Sequence, residues 1–347
     1  MAKKEHIIVG LDIGTTKIRA IVAQVTSDQE INIIGVGSSP NRGLRKGVVV
    51  NIESTVESIK RAVEEAELMA AVQINSVYIG IAGGHISSET ASGVVALKRH
   101  EVTRADVQRA IETAYAAAVV SSDRQVLHVL PREFIVDDQE GIREPVGISG
   151  SRLEVDVHIV TGAVTSARNL VKCVDRAGLG VIDIVLQPLA SSEAVLSEEE
   201  KELGIAMVDL GGGTSDLAIF SDGTISHSAV LPVGGQHLTT DLQIGLRTSL
   251  ADAEKIKIRY GSALSCMVKD TEMLEVPSVG GRPPRAISRR EVSEIIEPRV
   301  EEIFDLVLRE IRRSGYEGKL AAGVVTVSYT HLRAHETEAD LVCRLLL

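Results

Sequence analysis

One short pattern occurs twice in this chain and constrains its fold more than any other feature. The segments HIIVGLDIGTTKIRAIVAQV, which begins at His6, and GIAMVDLGGGTSDLAIFSDG, which begins at Gly204, share the same form. Each has an apolar strand ending in aspartate, a glycine turn with hydroxyl side chains, and a second apolar strand. Asp12 corresponds to Asp209. Because each copy opens its own half of the chain, we infer an internal duplication into two α/β halves.

The composition is that of a soluble globular protein with room for two or more domains. The chain has 347 residues, of which 44% are hydrophobic and 24% are charged. Its net charge of −11 argues against nucleic acid as a partner, because binding to phosphate requires a surplus of Lys and Arg on one face. The three cysteines lack paired or metal-like spacing, which suits a reducing cytoplasm. No apolar run approaches the ~20 residues of a membrane span.

The α/β pattern is interrupted between about His85 and Ala163. A helix, RADVQRAIETAYAAAVV, follows Thr103 there and is surrounded by strands, which predicts an inserted α+β subdomain. Two further helices show capping-box spacing at their starts, one at Ser54 and the other at Ser288. Gly315 is expected to end the second of these helices.

The two repeated turns carry the groups that bind phosphate. Their glycines expose backbone N–H groups, and Thr15, Thr16 and Thr214 add hydroxyl donors. Lys17 adds a cation, and two strand-end aspartates that converge there would hold a hydrated Mg²⁺. A single glycine hairpin is more often structural, whereas two in matching halves favour a phosphate site. The Walker and dinucleotide patterns are both absent, and these turns join strand to strand.

Several motifs together carry a resemblance to a known family. They are VGLDIGTTKI, GVVVNIESTVESI, VYIGIAGGHI, VTRADVQRAI, LPREFIVD, QPLASSEAVL, MVDLGGGTSDLAIF, LPVGGQHLTTDL and ISRREVSEIIEPRVEEI, and they extend to about Val325. With these motifs the chain resembles the actin/Hsp70/sugar-kinase superfamily, and more closely the FtsA family of bacterial cell-division proteins. The resemblance implies an α/β, actin-like fold with duplicated ribonuclease-H-like halves and an inserted α+β subdomain in the first half.

The resemblance also implies domain boundaries. The first half would comprise residues 1–84 and 164–202, with the self-associating insert at residues 85–163. The second half would comprise residues 203–238 and 306–326, and residues 239–305 would form its subdomain for nucleotide and partner contacts. Residues 327–347 are predicted to be a non-native tail.

Site residues follow from the same resemblance, with ATP and Mg²⁺ as the implied cofactors. The residues implied to bind ATP are Gly14, Thr15, Thr16, Lys17, Gly211, Gly212, Gly213, Thr214, Gly234, Gly235, Glu254 and Lys257. Asp12 and Asp209 would serve the metal, through water, and Gln187 would position the attacking water. Two of these assignments have simpler alternatives. Glu254 and Lys257 could be an ordinary surface pair, and Gln187 could be a structural residue before Pro188.

The function implied by the resemblance is an ATP-binding cell-division scaffold. Such a protein polymerises, links FtsZ filaments of the division ring to the cytoplasmic membrane and recruits later division proteins. Its partners would be the FtsZ C-terminal peptide, at Glu297 and Arg299, further copies of itself, and the membrane through a C-terminal amphipathic helix. It would work on the cytoplasmic face of the membrane at the septum, as a scaffold with at most weak ATPase activity.

Two other functions belong to the same superfamily. A sugar or acetate kinase would need a catalytic base between the halves, and the sequence places no extra Asp or His convincingly there. A chaperone ATPase would need a separate substrate-binding domain, for which the chain is too short. Fold alone does not decide among these functions, whereas the order of the family motifs favours the scaffold.

The end of the chain departs from the family pattern. VSYTHLRAHET looks like a translated sequencing adapter, so the sequence from about Val327 is expected to be non-native. His331 and His335 are four residues apart, but Leu332 stands where the glutamate of the HExxH zinc motif would be. The family continues instead with a Gly-Gly turn that contacts adenosine and with the amphipathic membrane helix. Loss of that turn is expected to weaken nucleotide binding.

Overall fold

Two five-stranded sheets and one four-stranded sheet form the framework of the molecule. The computed structural model describes residues 6–26, 30–269, 271–280, 282–328 and 342–345. The strands are β1 (His6–Ile13), β2 (Lys17–Val25), β3 (Ile31–Pro40), β4 (Leu44–Arg45), β5 (Val48–Val49), β6 (Ser76–Ile81), β7 (Ser87–Ala96), β8 (Arg124–Val136), β9 (Gln139–Ile142), β10 (Arg152–Ala163), β11 (Gly180–Leu186), β12 (Ile205–Leu210), β13 (Ser215–Ser221), β14 (Thr224–Leu231), β15 (Met273–Val276), β16 (Arg285–Ser288), β17 (Val324–Ser328) and β18 (Val342–Leu345).

Helices pack against these sheets. They are α1 (Ile52–Ala70), α2 (Arg104–Ala117), α3 (Val164–Arg176), α4 (Gln187–Val195), α5 (Glu198–Leu203), α6 (Gly235–Leu246), α7 (Leu250–Tyr260) and α8 (Arg289–Ser314), with short 3₁₀ turns at Ser265–Met267 and Glu317–Lys319. Within the described residues, no helix is both long enough and apolar enough to span a membrane.

The duplication predicted from the sequence is present in the sheet topology. The first-half sheet has the order β11-β6-β1-β2-β3 and the second-half sheet the order β14-β13-β12-β17-β18. In each half, the first two strands of the repeat pair antiparallel, and the first of them pairs parallel with a later strand, β6 or β17. The fifth strands differ, since β11 runs parallel to β6 whereas β18 runs antiparallel to β17. β18 lies in the stretch predicted to be a non-native tail.

The first-half core lies between its sheet and helices α1 and α3. Ile59, Ala62 and Ala66 of α1 are fully buried against the sheet. A Cβ on Gly37 would lie 1.8 Å from the carbonyl oxygen of Ala62, so glycine there permits β3 and α1 to approach closely. α1 spans 19 residues and has an apolar stripe along one face. The contact at Gly37 holds this face against the sheet.

Helix ends test the capping predictions. Thr103 caps α2 and Ser288 caps α8, each through a complete capping box, and Gly315 ends α8 with φ 78°. The prediction at Ser54 was wrong. Asn51 is the N-cap of α1, and its side chain accepts a hydrogen bond from the backbone N–H of Ser54 at 3.0 Å. Asparagine caps as well as serine does, so the sequence offered two starts three residues apart.

The inserted subdomain is an antiparallel sheet of order β7-β10-β8-β9 with α2 packed on it. Although it belongs to the first half of the chain, it contacts the second-half strand β14. The guanidinium of Arg132 donates to the hydroxyl of Tyr316 at 2.7 Å, and the His158 ring lies 3.0 Å from the Ser228 hydroxyl. Arg143 forms an ion pair with Glu202 of α5. Burial lowers the pKa of His158 to about 4, so this histidine is neutral at pH 7.

We predict that Gly37→Ala destabilises the protein by about 2 kcal/mol, because the added methyl group would force β3 away from the α1 backbone. Thermal unfolding followed by circular dichroism measures the effect. Gly10→Ala is the matched control, since a Cβ on Gly10 in β1 has no heavy atom within 4 Å. Equal unfolding midpoints for the two variants would contradict the close approach of α1 and β3.

Candidate functional site

The turns β1–β2 and β12–β13 have the same local geometry. A Cβ on Gly14 would lie 2.9 Å from the carbonyl oxygen of Lys17, and a Cβ on Gly211 would lie 2.9 Å from that of Thr214. In the first turn the N–H of Gly14 donates to the Lys17 carbonyl at 3.0 Å. Each turn therefore needs glycine at the same position, which extends the duplication from sequence to structure.

The two turns also touch each other across the boundary between the halves. A Cβ on Gly212 would lie 2.6 Å from the Thr16 side chain, and one on Gly213 would lie 2.9 Å from the Thr15 hydroxyl. That hydroxyl accepts a hydrogen bond from the N–H of Gly47 at 3.1 Å. The glycines of the second turn therefore leave room for the threonines of the first.

A cleft opens between these two turns. Its lining combines both turns with the ends of β1, β6 and β12 and the start of α4. The residues that line it are Asp12, Ile13, Gly14, Thr15, Thr16, Lys17, Gly47, Gly80, Ile81, Ala82, Leu170, Gln187, Asp209, Gly211, Gly212, Gly213, Thr214 and Asp216. The cleft thus brings together the eight predicted turn residues, both predicted aspartates and Gln187.

Gly234 and Gly235 lie behind the second turn, at the start of α6. The N–H of Gly235 donates to the carbonyl of Gly211 at 2.9 Å, and the N–H of Gln236 donates to that of Gly212 at 2.8 Å. In a trans peptide the C=O and the following N–H point in opposite directions. The N–H groups of Gly212 and Gly213 therefore point away from α6, and both residues line the cleft.

Three carboxylates converge in the cleft. Burial together with the charge of Asp209 raises the pKa of Asp12 to about 6, and burial raises the pKa of Asp209 to about 6. Burial and the charge of Asp209 raise the pKa of Asp216 to about 8. Across the part of the chain that is described, no donor reaches Oδ1 of Asp209 or Oδ1 of Asp216. Such a cluster favours protons or a bound cation.

Asp216 was missed in the sequence analysis. It pairs with Asp209 across the β12–β13 ladder, as Arg19 pairs with Asp12 across β1–β2. Its position therefore follows from the hairpin register. In both hairpins, the residue seven positions after the strand-end aspartate pairs with that aspartate. The two halves differ at this position, since one has a cation and the other a third carboxylate.

Two side chains of α4 bind the aspartates. Gln187 donates from Nε2 to Oδ1 of Asp12 at 2.5 Å, and Ser191 donates from Oγ to Oδ2 of Asp209 at 3.1 Å. A Cβ on Gly80 would lie 2.9 Å from Gln187 Cγ, so glycine makes room for this side chain. Gln187 thus lines the cleft and contacts one of its carboxylates.

Glu254 and Lys257 are not an ordinary surface pair. Lys257 is only 2% exposed, and its ammonium donates to Glu254 at 2.8 Å, to Thr239 at 2.8 Å and to the carbonyl of Gly235 at 3.1 Å. Burial lowers the pKa of Lys257. The charges of Glu254 and Lys257 also act on Lys17, whose pKa is lowered mainly by burial. This pair therefore joins α7 to the start of α6, behind the second turn.

Two further predictions concern metals. In the described ranges, no group of three or more His, Cys, Asp or Glu side chains is arranged to hold a metal ion. Mg²⁺ keeps most of its water and takes few direct protein ligands, so the prediction for Asp12 and Asp209 does not depend on such a group. His331 and His335 lie outside the described residues.

Glu297 and Arg299 lie on α8, away from the cleft. Glu297 accepts a hydrogen bond from the N–H of Ser265 at 3.3 Å. Arg299 makes two hydrogen bonds to the carboxylate of Asp241, at 2.7 and 3.1 Å, and an ion pair with Glu302. The contact with Asp241 raises the pKa of Arg299, and it fixes the guanidinium between α6 and α8.

The raised pKa of Asp216 predicts how stability depends on pH. Its folded pKa of about 8 exceeds the usual 3.8, so between these values the folded protein holds a proton that the unfolded chain has lost. The protein is therefore most stable with respect to this group below pH 4, and it loses that stability as the pH rises toward 8. In metal-free buffer at pH 8 we expect Asp216→Asn to raise the unfolding midpoint by roughly 5 °C. This advantage should shrink as the pH is lowered to 5.

Unfolding midpoints measured from pH 5 to pH 8 in the presence of a chelator test this expectation. Asp175→Asn, an exposed substitution on α3, is the control and should leave the pH dependence unchanged. Parallel pH curves for Asp216→Asn and the parent would contradict the buried carboxylate cluster.

Family models match two long segments of the chain. The model described as "SHS2 domain inserted in FTSA" matches residues 83–161, and that described as "Cell division protein FtsA" matches residues 206–338. The first match coincides with the four-stranded inserted sheet, and the second begins at β12.

Solved structures share the fold at low sequence identity. A type IV pilus biogenesis complex, PilM-PilN, superposes with a TM-score of 0.66 at 14% identity, covering 94% of this chain and 83% of that one. MreB5 of Spiroplasma citri bound to ADP superposes with a TM-score of 0.55 at 15% identity, covering 93% and 85%. The MamK double helical filament superposes with a TM-score of 0.51 at 12% identity, with the same coverage. These likenesses confirm the actin-like α/β fold.

Curated relatives are much closer in sequence. The chain is 52% identical over 323 residues to the cell division protein FtsA of Pseudomonas aeruginosa, covering 93% of this chain and 77% of the relative. It is 45% identical over 331 residues to FtsA of Escherichia coli K12, covering 93% and 79%. With the two family models matching in the same order, the chain belongs to the FtsA family of bacterial cell-division proteins.

Proposed function

We propose that the cleft binds ATP with Mg²⁺ and that the protein acts as a nucleotide-dependent scaffold of the division ring. The observation that carries this proposal is the pair of glycine turns that face each other across the halves and line one cleft, with the N–H groups of Gly212 and Gly213 directed away from α6. Such backbone donors bind phosphate oxygens without a side chain in the way. The neighbouring fold of MreB5, which was solved bound to ADP, supports the same use of the cleft.

Each group in the cleft has a role in this proposal. The two turns, Gly14 to Lys17 and Gly211 to Thr214, hold the phosphates from opposite sides. Mg²⁺, held through water by Asp12 and Asp209, supplies charge neutralisation for the phosphates. Gln187 positions the attacking water, and its amide is oriented for this by its hydrogen bond to Asp12.

The nucleotide base would lie toward α6 and α7. Gly234 and Gly235 shape the turn beside the phosphates, and the buried pair Glu254 and Lys257 supports it from behind. Because Lys257 is hydrogen-bonded within the protein on all three protons, we assign it to shaping the adenosine side of the site. Glu254 retains a partly exposed carboxylate that can accept from the ribose.

The scaffold role rests on family membership, which favours it over the kinase and the chaperone. We propose that copies associate through the inserted subdomain, residues 85–163, as suggested by the filament in which the neighbouring fold of MamK occurs. The protein would recruit later division proteins, with at most weak ATPase activity. It would link FtsZ filaments to the cytoplasmic face of the membrane at the septum, and a C-terminal amphipathic helix would make the membrane attachment in the intact protein.

The FtsZ C-terminal peptide would bind on the second-half subdomain, residues 239–305, at Glu297 and Arg299. Arg299 is held by Asp241 on one side and is partly exposed on the other, so a peptide carboxylate can reach it without rearrangement. Glu297 lies two residues before it on α8, and its hydrogen bond to Ser265 N–H anchors the adjoining 3₁₀ turn.

The Mg-ATP proposal predicts the behaviour of Asp12→Ala combined with Asp209→Ala. Loss of both carboxylates should weaken Mg-dependent ATP binding at least tenfold, because the metal loses its protein anchors, by roughly 1.4 kcal/mol or more. Equilibrium binding of a fluorescent ATP analogue at fixed Mg²⁺ measures this. Asp175→Ala is the control, and unchanged ATP affinity of the double variant would remove the proposed metal site.

The peptide proposal predicts that Arg299→Glu abolishes binding of the FtsZ C-terminal peptide, because a carboxylate would repel an acidic partner group and Asp241. Fluorescence anisotropy with the labelled peptide measures the affinity. Arg309→Glu makes the same charge change at an exposed position of α8 and should bind normally.

A further variant separates peptide contact from support of the helix. Asp241→Asn keeps the Arg299 guanidinium but removes its charged partner, so peptide binding should persist. Arg299 would be excluded from the site if Arg299→Glu bound the peptide as the parent does while retaining its unfolding midpoint.

A further inference from the structure

Helix α4 is the segment that crosses from the first half to the second. It begins at Gln187, directly after β11 of the first-half sheet, and it is followed by α5 and by β12 of the second-half sheet. Its first residue, Gln187, lines the cleft, and the helix packs against strands of both sheets. A side chain on this helix is therefore placed relative to both halves at once.

Two side chains on one face of α4 bind carboxylates that belong to different halves. Gln187 donates to Asp12 of β1 at 2.5 Å, and Ser191 donates to Asp209 of β12 at 3.1 Å. The two donors are four residues apart, one helical turn, so they project from the same face. The helix thus makes one directed contact with the leading aspartate of each repeat.

The contact from Ser191 determines how Asp209 can be used. Asp209 is 6% exposed, and its Oδ2 accepts the Ser191 hydroxyl. Its Oδ1 receives no donor from the described residues and belongs to a side chain that lines the cleft. A hydroxyl that occupies Oδ2 fixes the carboxylate plane and leaves Oδ1, which is buried, as the oxygen that has no hydrogen-bond partner among the described residues.

We infer that Ser191 is a positioning residue for the cation of the cleft and that, with Gln187, it makes α4 a two-point brace that sets the spacing of Asp12 and Asp209. This inference rests on the proposed Mg-ATP function. Because the two carboxylates come from different halves, their spacing is also the spacing between the halves at the cleft. A bound cation therefore acts on the relation between the halves through α4.

The neighbouring serine provides a matched control. Ser192 is fully buried, and its hydroxyl donates to the carbonyl of Leu189 within α4 at 2.8 Å, so it has no contact with either carboxylate. Ser192→Ala removes the same oxygen from the same helix, and in a more buried position. Any loss of helix stability should therefore be larger for Ser192→Ala than for Ser191→Ala.

The test measures the Mg²⁺ requirement of ATP binding in Ser191→Ala, Ser191→Thr, Ser192→Ala and the parent chain. Mg²⁺ is titrated at fixed fluorescent ATP analogue, and the unfolding midpoint is measured with and without Mg²⁺ and ATP. We expect Ser191→Ala to need about tenfold more Mg²⁺ for half-maximal effect, as is usual when a partner of a metal-binding group is removed. Binding of the analogue without Mg²⁺ should be unchanged. Ser191→Thr, which keeps the hydroxyl, should restore the parent value, and Ser192→Ala should match the parent.

The possible outcomes separate this inference from the function on which it rests. A parent chain whose ATP binding does not respond to Mg²⁺ would overturn both. A responsive parent together with an unchanged Mg²⁺ requirement in Ser191→Ala would overturn the positioning role alone. An equal loss of affinity with and without Mg²⁺ would also overturn it, since that result marks a general structural effect.

Discussion

The close contact between the two glycine turns is the constraint on which the rest of the site depends. Thr15 and Thr16 approach Gly213 and Gly212 so closely that a methyl group on either glycine would collide with them. The halves can therefore meet at this point only while the second turn lacks side chains. This contact brings the ends of β1 and β12 to opposite walls of one cleft, and so places their aspartates together. A duplicated fold without it would have two separate turns and no shared site.

Bringing the turns together concentrates negative charge. Asp12, Asp209 and Asp216 share the cleft, and burial raises the pKa of each of them. Carboxylates held in this way are costly when ionised, and a divalent cation lowers that cost. Gln187 and Ser191 offset part of it by donating hydrogen bonds from α4. These hydrogen bonds hold two of the three carboxylates in place within the cleft.

The sequence could predict those parts of the site that repeat. Asp12, Asp209 and the turn glycines were recognisable because the same pattern occurs in both halves, and the structure brings these residues to one cleft. Asp216 was missed because it departs from the repeat, since its counterpart is Arg19 and only the hairpin register places it beside Asp209. Ser191 could not be found from the sequence, because its contact with Asp209 depends on how α4 packs between two sheets. The burial of Lys257 was likewise inaccessible, since an i,i+3 charge pair has the same spacing on a surface as in a core. The predicted start of α1 was wrong for a different reason, because two good capping residues stand three positions apart.

The inserted subdomain contacts both halves of the molecule. It is covalently part of the first half, yet Arg132, His158 and Arg143 contact Tyr316, Ser228 and the carbonyl of Asp222 in the second half. Leu130 also packs against the apolar cluster on one face of the second-half sheet. Any change in the spacing of the halves must therefore either carry the insert along with both of them or break these contacts. Because His158 is neutral at pH 7, its contact with Ser228 is a single neutral hydrogen bond, which costs far less to break than a buried ion pair. The Arg143–Glu202 pair adjoins this boundary, and both of its side chains are about half exposed, where water can replace the lost contact. The contact between the glycine turns differs in kind, because there the side chains of Thr15 and Thr16 lie against the glycine backbone of the second turn and leave no room for a side chain. If the halves move relative to each other, the displacement should appear at the insert before it appears at the turns.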